Sequence, residues 1–268
     1  MQKAETRRFD VALSRAFATT LGTYALVFRH LIERVGVEET TAIWDRLPAQ
    51  ADALTQEILE QDVAIESEPL GATETDFIVR KLFARPIQGF RAEQVTAFLR
   101  SRPPFVFIDE AFPTTLGVLS LTTYQMLHLS RDALARIAEE IIARFGKAGE
   151  LMIYDALLAD PDTSNTMTAD EFMKQQLDGF QNPPEAASIF SAGLDIELLS
   201  GDARAIVAHV THCEWARYYL EHHPSVGYLL ACSTDDPMYR RQCNDVRLQR
   251  RCTLMEGGDY CEFCFYRL

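Results

Sequence analysis

The stretch VRLQRRCTLMEGGDYCEFCFYR, residues 246–267, decides the fold. Its first limb, 246–255, puts Val246, Leu248, Arg250, Cys252 and Leu254 on one side of an extended chain. Glu256-Gly257-Gly258-Asp259 then supplies turn residues, and 260–267 alternates again through Cys261, Phe263 and Phe265. Period-two alternation around a glycine pair predicts a β-hairpin. A four-residue turn sets Met255 opposite Tyr260, Leu254 opposite Cys261, Cys252 opposite Phe263 and Arg250 opposite Phe265. Cys252 and Cys261 are then diagonal neighbours on the apolar face, about 7–8 Å apart. Cys264 points the other way.

Working back from this hairpin, residues 188–199 and 204–212 alternate around Ser200-Gly201-Asp202 and predict a second hairpin. A helix over 214–222 and a helical or irregular stretch over 226–243 connect the two. Upstream, Thr168 and Glu171 form a capping box for a helix to about residue 177. A helical stretch begins near Leu116 and continues over 131–145 and 148–158. The first half carries apolar residues at helical spacing over 9–35, among them Val11, Phe17, Tyr24 and Leu31, with Gly36 as a stop. Further short helices are predicted over 38–47, 51–63, 74–83 and 92–100, and 105–109 as a short strand or buried linker. The expected fold is α+β: a helical region over 1–115, then over 116–268 helices packed on a four-stranded antiparallel sheet made of two hairpins.

The chain also echoes itself. IERVGVEETTAIWDRL (32–47) aligns without gaps to IARFGKAGELMIYDAL (142–157), with identity at Ile32, Arg34, Gly36, Ile43, Asp45 and Leu47. Chance supplies about one such identity. Two helical hairpins sharing a glycine stop, or a decayed duplication, both account for this.

Composition narrows the function. Of 268 residues 47% are hydrophobic, enough for a sizeable core, and the net charge of −13 disfavours nucleic acid and anionic membranes. No apolar run approaches the ~20 residues of a membrane span. The first ten residues lack the apolar run of a secretory signal. A cytoplasmic location follows, where thiols stay reduced. The partner expected is a small-molecule substrate, and a sheet with free edges beside acidic helices suits a homodimer.

All six cysteines lie beyond residue 212. Cys213 falls where a strand passes into a helix, whose N-terminal amides lower a thiol pKa and favour a nucleophile; a small residue at a tight junction is the plainer account. Cys232 precedes Asp235 and Asp236 by three and four residues, one helical face, suiting a nucleophile beside a carboxylate or a metal pair. Cys261 and Cys264 form a CxxC whose members face opposite sides of a strand, which disfavours chelation or redox pairing. A zinc site from Cys232, Cys252 and Cys261 is the better metal reading, since two of them share a face. Arg250 on an apolar face needs a partner: an internal salt bridge, or a substrate carboxylate held bidentately.

These residues resemble the L-2-amino-thiazoline-4-carboxylic acid hydrolase family. The matching pieces are Cys213-x-Trp215 with Tyr218 and Tyr219, Cys232-x-x-Asp235, and Arg250-x-x-Thr253-x-x-x-Gly257 leading to Cys261-Glu262-Phe263-x-Phe265. The resemblance covers roughly 120–268. It implies opening of a small cyclic amidine or isothiourea bearing a carboxylate, without a cofactor. Cys213 or Cys232 would be the nucleophile, and Asp235 would hold the amidinium or move protons. Arg250, Thr253 and Cys261 would line the substrate site, and Trp215 would wall it. The ending is also similar to the 4-vinyl-reductase domain, through Cys252, Gly257, Cys261 and Phe263. That resemblance implies a small-molecule sensor without turnover, with a structural zinc.

Overall fold

The computed structural model describes residues 8–47, 52–59, 118–159, 167–181 and 193–268. The expectations for 74–83, 92–100 and 105–109 lie outside the described residues. The chain divides into two compact units. Of the described residues, one holds 122–124, 167–181 and 193–268, and the other holds 8–47, 52–59, 118–121 and 125–159.

The second of these units opens on β1 (Arg8–Ala12), followed by α1 (Leu13–Val35) and α2 (Val37–Trp44). After α3 (Ala53–Leu59) come β2 (Val118–Thr122), α4 (Thr123–Phe145) and α5 (Lys147–Leu158). β1 and β2 pair in a two-stranded sheet. This corrects the sequence reading, which began helices at residues 9 and 116. The strands RFDVA and VLSLT are too short for periodicity to separate from the helices that follow. Gly36 and Gly146 separate the helices of each pair with φ of 85° and 56°. Such angles suit glycine, which has no Cβ to clash. Tyr24, Val27, Phe28 and Leu31 of α1 are buried, with Ile43 and Trp44 of α2.

The other unit is built on α6 (Ala169–Gln181) and strands β3 (Leu194–Gly201), β4 (Ala205–Cys213), β5 (Val246–Gln249) and β6 (Cys261–Arg267). The capping box forms as read. The Thr168 amide donates to the Glu171 carboxylate at 2.8 Å, and the Glu171 amide donates to Thr168 Oγ1 at 3.3 Å. The sheet order is β3-β4-β6-β5, all pairs antiparallel. The expected two hairpins therefore exist and are joined edge to edge by β4 and β6. Asp202 closes the first, its carboxylate accepting from the amides of Arg204 at 2.6 Å and Ala205 at 2.9 Å. Between β4 and β5 lie α7 (Glu214–His222), a wide π-helical turn (Tyr228–Cys232) and α8 (Asp235–Gln242). The core of this unit gathers Phe172 and Met173 of α6, Ile206 of β4, Cys243, Val246 and Leu248 around β5, and Phe265 of β6. Phe172 and Phe265 meet edge to face at 5.7 Å.

The second hairpin departs from the expected register. Leu248 lies opposite Phe265 and Gln249 opposite Cys264, two residues off the sequence reading. The ladder stops at Gln249 because Thr253 caps a tight 3-10 turn (Leu254–Glu256), and Gly257 closes it at φ 84°. Thr253 Oγ1 accepts the Glu256 amide at 3.2 Å and donates to the Glu256 carboxylate at 2.8 Å. A shift of two keeps every side chain on its face. It frees Arg250, Arg251 and Cys252 from the strand.

Candidate active site

That release brings Arg250 to the last elements before β5. Its Nη1 donates to Asp235 Oδ2 at 2.8 Å, and its Nη2 to the Cys232 carbonyl. The guanidinium lies over the Phe263 ring, 5.3 Å from the centroid, which adds a cation–π contact. The Arg250 side chain is only 11% exposed and Asp235 26%. Of the two roles open to Arg250, the internal salt bridge is the one formed here.

Asp235 opens α8. Burial raises its carboxyl to about 6, against the charge and hydrogen bond of Arg250, which hold it back. Burial thus outweighs the ion pair and leaves a carboxylate poised near neutrality.

Cys213 ends β4 and caps α7, its sulfur accepting the Ala216 amide at 3.4 Å. Burial dominates and pushes the thiol up to about 11, although the helix amides pull it down. Of the two readings the sequence left open for Cys213, one has the helix N-terminus win. It loses because a thiolate there would be nearly cut off from water. Cys232 ends the π-helical turn and is buried, and its thiol is pushed up to about 12, with Arg250 opposing. Cys261 is buried at the start of β6, with its sulfur accepting the Leu254 amide at 3.2 Å; burial raises this thiol too. Cys213, Cys232 and Cys261 each feel the charge of Asp235. Arg250 acts on Cys232 and Cys261. One polar cluster therefore holds five of the residues singled out in the sequence.

Two others sit differently. Thr253 is buried and its hydroxyl serves the 3-10 turn, so it shapes the loop that carries Arg250. Trp215 is half-buried in the first turn of α7, two residues from Cys213. Phe263, which the sequence placed on the apolar face and in both resemblance motifs, is the floor under Arg250. His209 stacks on Tyr260 at 3.7 Å, and His212 hydrogen-bonds the buried Glu214 at 2.8 Å.

All six cysteines are free thiols. Among the described residues, Cys232, Cys252 and Cys261 do not gather as metal ligands. The group that brings ligand atoms within 4.8 Å of one another is Asp52, His128 and Asp132. There, Asp52 caps α3 through the Thr55 amide at 2.8 Å and meets His128 at 2.9 Å. Arg136 clamps Asp132 at 2.7 and 3.2 Å. These side chains already hold one another through hydrogen bonds. Among the described residues, no helix is long and apolar enough to cross a membrane.

The model of the L-2-amino-thiazoline-4-carboxylic acid hydrolase family matches residues 126–265, slightly more than half of the chain. The chain belongs to that family. The matched span includes Cys213, Cys232, Asp235, Arg250 and Cys261. No curated protein matches the chain.

Proposed function

We propose that the chain hydrolyses a C–N or C–S bond in a small cyclic amidine or isothiourea bearing a carboxylate, through a cysteine nucleophile. The observation that carries this reading is Asp235, raised to about 6 beside two thiols that are held protonated near pH 7. A protonated thiol needs a base, and a carboxylate of that pKa accepts and returns protons at neutral pH.

The sulfur of Cys213 or Cys232 adds to the amidine carbon as its proton passes to Asp235. The ring bond from that carbon to sulfur or nitrogen breaks, and the leaving atom takes the proton. Water then adds to the enzyme-bound carbon and gives a proton to Asp235. The carbon–cysteine bond breaks and the thiol regains that proton. The sum is one water added and one ring opened, giving a carbamoyl amino acid.

Arg250 would exchange Asp235 for the substrate carboxylate, a planar match for its fork. Losing that partner raises Asp235 further, so substrate binding would strengthen the base. Cys261 lines the site and Trp215 walls it. Six free thiols suit a reducing compartment, and the cytoplasm is the location we assign.

The test is turnover of L-2-amino-thiazoline-4-carboxylic acid by wild type, Cys213→Ala and Cys232→Ala. Wild-type turnover lost in one cysteine variant supports the covalent route. Turnover kept in both removes the nucleophile. Tight binding with no wild-type turnover supports a sensor of the 4-vinyl-reductase kind.

A further inference from the structure

The unit that holds α1 to α5 repeats itself over far more than the sixteen aligned residues. β1 and β2 are both five residues long, and α1 and α4 are both twenty-three. Arg8 and Val118, Leu13 and Thr123, and Gly36 and Gly146 begin or divide the two modules at one constant offset. Burial repeats as well. Tyr24, Ala25, Val27, Phe28, Leu31 and Ile43 are buried, and so are their equivalents Leu134, Ala135, Ile137, Ala138, Ile141 and Ile153.

The modules also meet reciprocally. The equivalent strands β1 and β2 pair with each other. α1 packs on α5, and α4 reaches α2, with Ile137 beside Thr40, Ile43 and Trp44. Three ion pairs cross between modules: Arg34 to Asp155 at 2.8 Å, Arg46 to Glu140 at 3.3 Å, and Glu39 to Arg144. First helix on second helix, in both directions, is the pattern of a two-fold interface, where contact i to j implies j to i.

We infer that β1–α1–α2 is an internal copy of β2–α4–α5 and docks on it as one protomer docks on another in a symmetric dimer. The chain carries its own partner for the α4–α5 face. Arg34 is equivalent to Arg144, and Asp155 to Asp45. A module that kept both residues, as the second does, could pair with itself through Arg144 and Asp155. The second copy that the sequence reading assigned to another chain is, for this face, within this one. All six cysteines follow residue 212, so each pair of modules has one thiol cluster.

The test is the mass of the full chain by light scattering across a concentration series. Wild type is expected to be a monomer. In Arg34→Asp/Glu39→Arg/Arg46→Asp the three ion pairs become like-charge contacts, which loosens the first module. The exposed α4–α5 faces should then pair between chains and double the mass. Adding Asp155→Arg/Arg144→Glu/Glu140→Arg should restore the monomer. Arg34→Asp alone, with Asp155→Arg as its rescue, gives the same comparison if the triple variant does not fold. A wild-type dimer that crosslinks between chains through α4–α5, or a folded loosened variant that stays monomeric, overturns the inference.

Discussion

Arg250 holds Asp235 through a 2.8 Å hydrogen bond across fifteen positions of sequence, and the same guanidinium reaches the Cys232 carbonyl. The loop that leaves β5 is thereby tied to the start of α8 and the end of the π-helical turn. Its charge is also what keeps the half-buried Asp235 from rising further. Charge on either partner is thus felt by the thiols around them.

Replacing Asp235 by Asn should slow turnover by ~10²–10⁴, the usual range for losing a proton-transfer group. Because the base must be ionised, wild-type kcat/KM should rise with pH through about 6 and then level, and Asp235→Asn should lose that limb. Its thiols should also alkylate faster: Asp235 raises both Cys213 and Cys232, while the unpaired Arg250 lowers Cys232. A limb near 6 that survives in Asp235→Asn assigns the base elsewhere.

Stability should follow the opposite slope. The folded carboxyl is raised above its ordinary value of 3.8, so between about pH 4 and 6 the folded state binds more protons than the unfolded. This group's stabilising share is full below that window and lost as pH rises through it. Denaturant titrations of wild type and Asp235→Asn at pH 4.5 and 7 should differ in that sense, which a rising wild-type contribution would contradict.

Thr253→Ala should destabilise by about 1 kcal/mol, the usual cost of a lost cap, and Thr253→Ser should recover most of it. Both hydrogen bonds of the Thr253 hydroxyl lie within the turn, so KM should move little at temperatures where the variant is folded. A KM rise without a change in melting temperature would return Thr253 to substrate binding.

Gly36→Ala and Gly146→Ala should each cost roughly 1–2 kcal/mol, from backbone strain alone, because a Cβ there meets nothing within 4 Å. Gly149→Ala differs in kind. Its Cβ would lie 2.7 Å from the Ile141 carbonyl oxygen, so α5 must move away from α4 and the cost includes overpacking, about 1–3 kcal/mol. Thermal melts of the three variants separate the two causes.

The sheet was legible because its strands alternate and its turns carry Gly and Asp. The helix over Glu214–His222 matched to the residue, since a strand's alternation stops at Cys213. Strands β1 and β2 were missed because five residues ahead of a long amphipathic helix continue its apolar pattern. The hairpin register was two residues off because the Thr253 cap is a side-chain hydrogen bond, which alternation does not encode. The candidate site residues were chosen by type, by spacing and by the family resemblance. The sign of the Cys213 shift was not legible, because helix amides are visible in a sequence whereas burial depends on everything packed around the sulfur.

The sheet order has a kinetic consequence. β3 and β4 are neighbours in sequence and can pair early, but β4 meets β6 only through contacts such as Val210 with Cys261. Closing that long loop is the slow kind of step in folding. Until β6 docks, Cys261 lacks the burial that raises its thiol. The surroundings that raise the Cys261 thiol are therefore completed only when β6 docks.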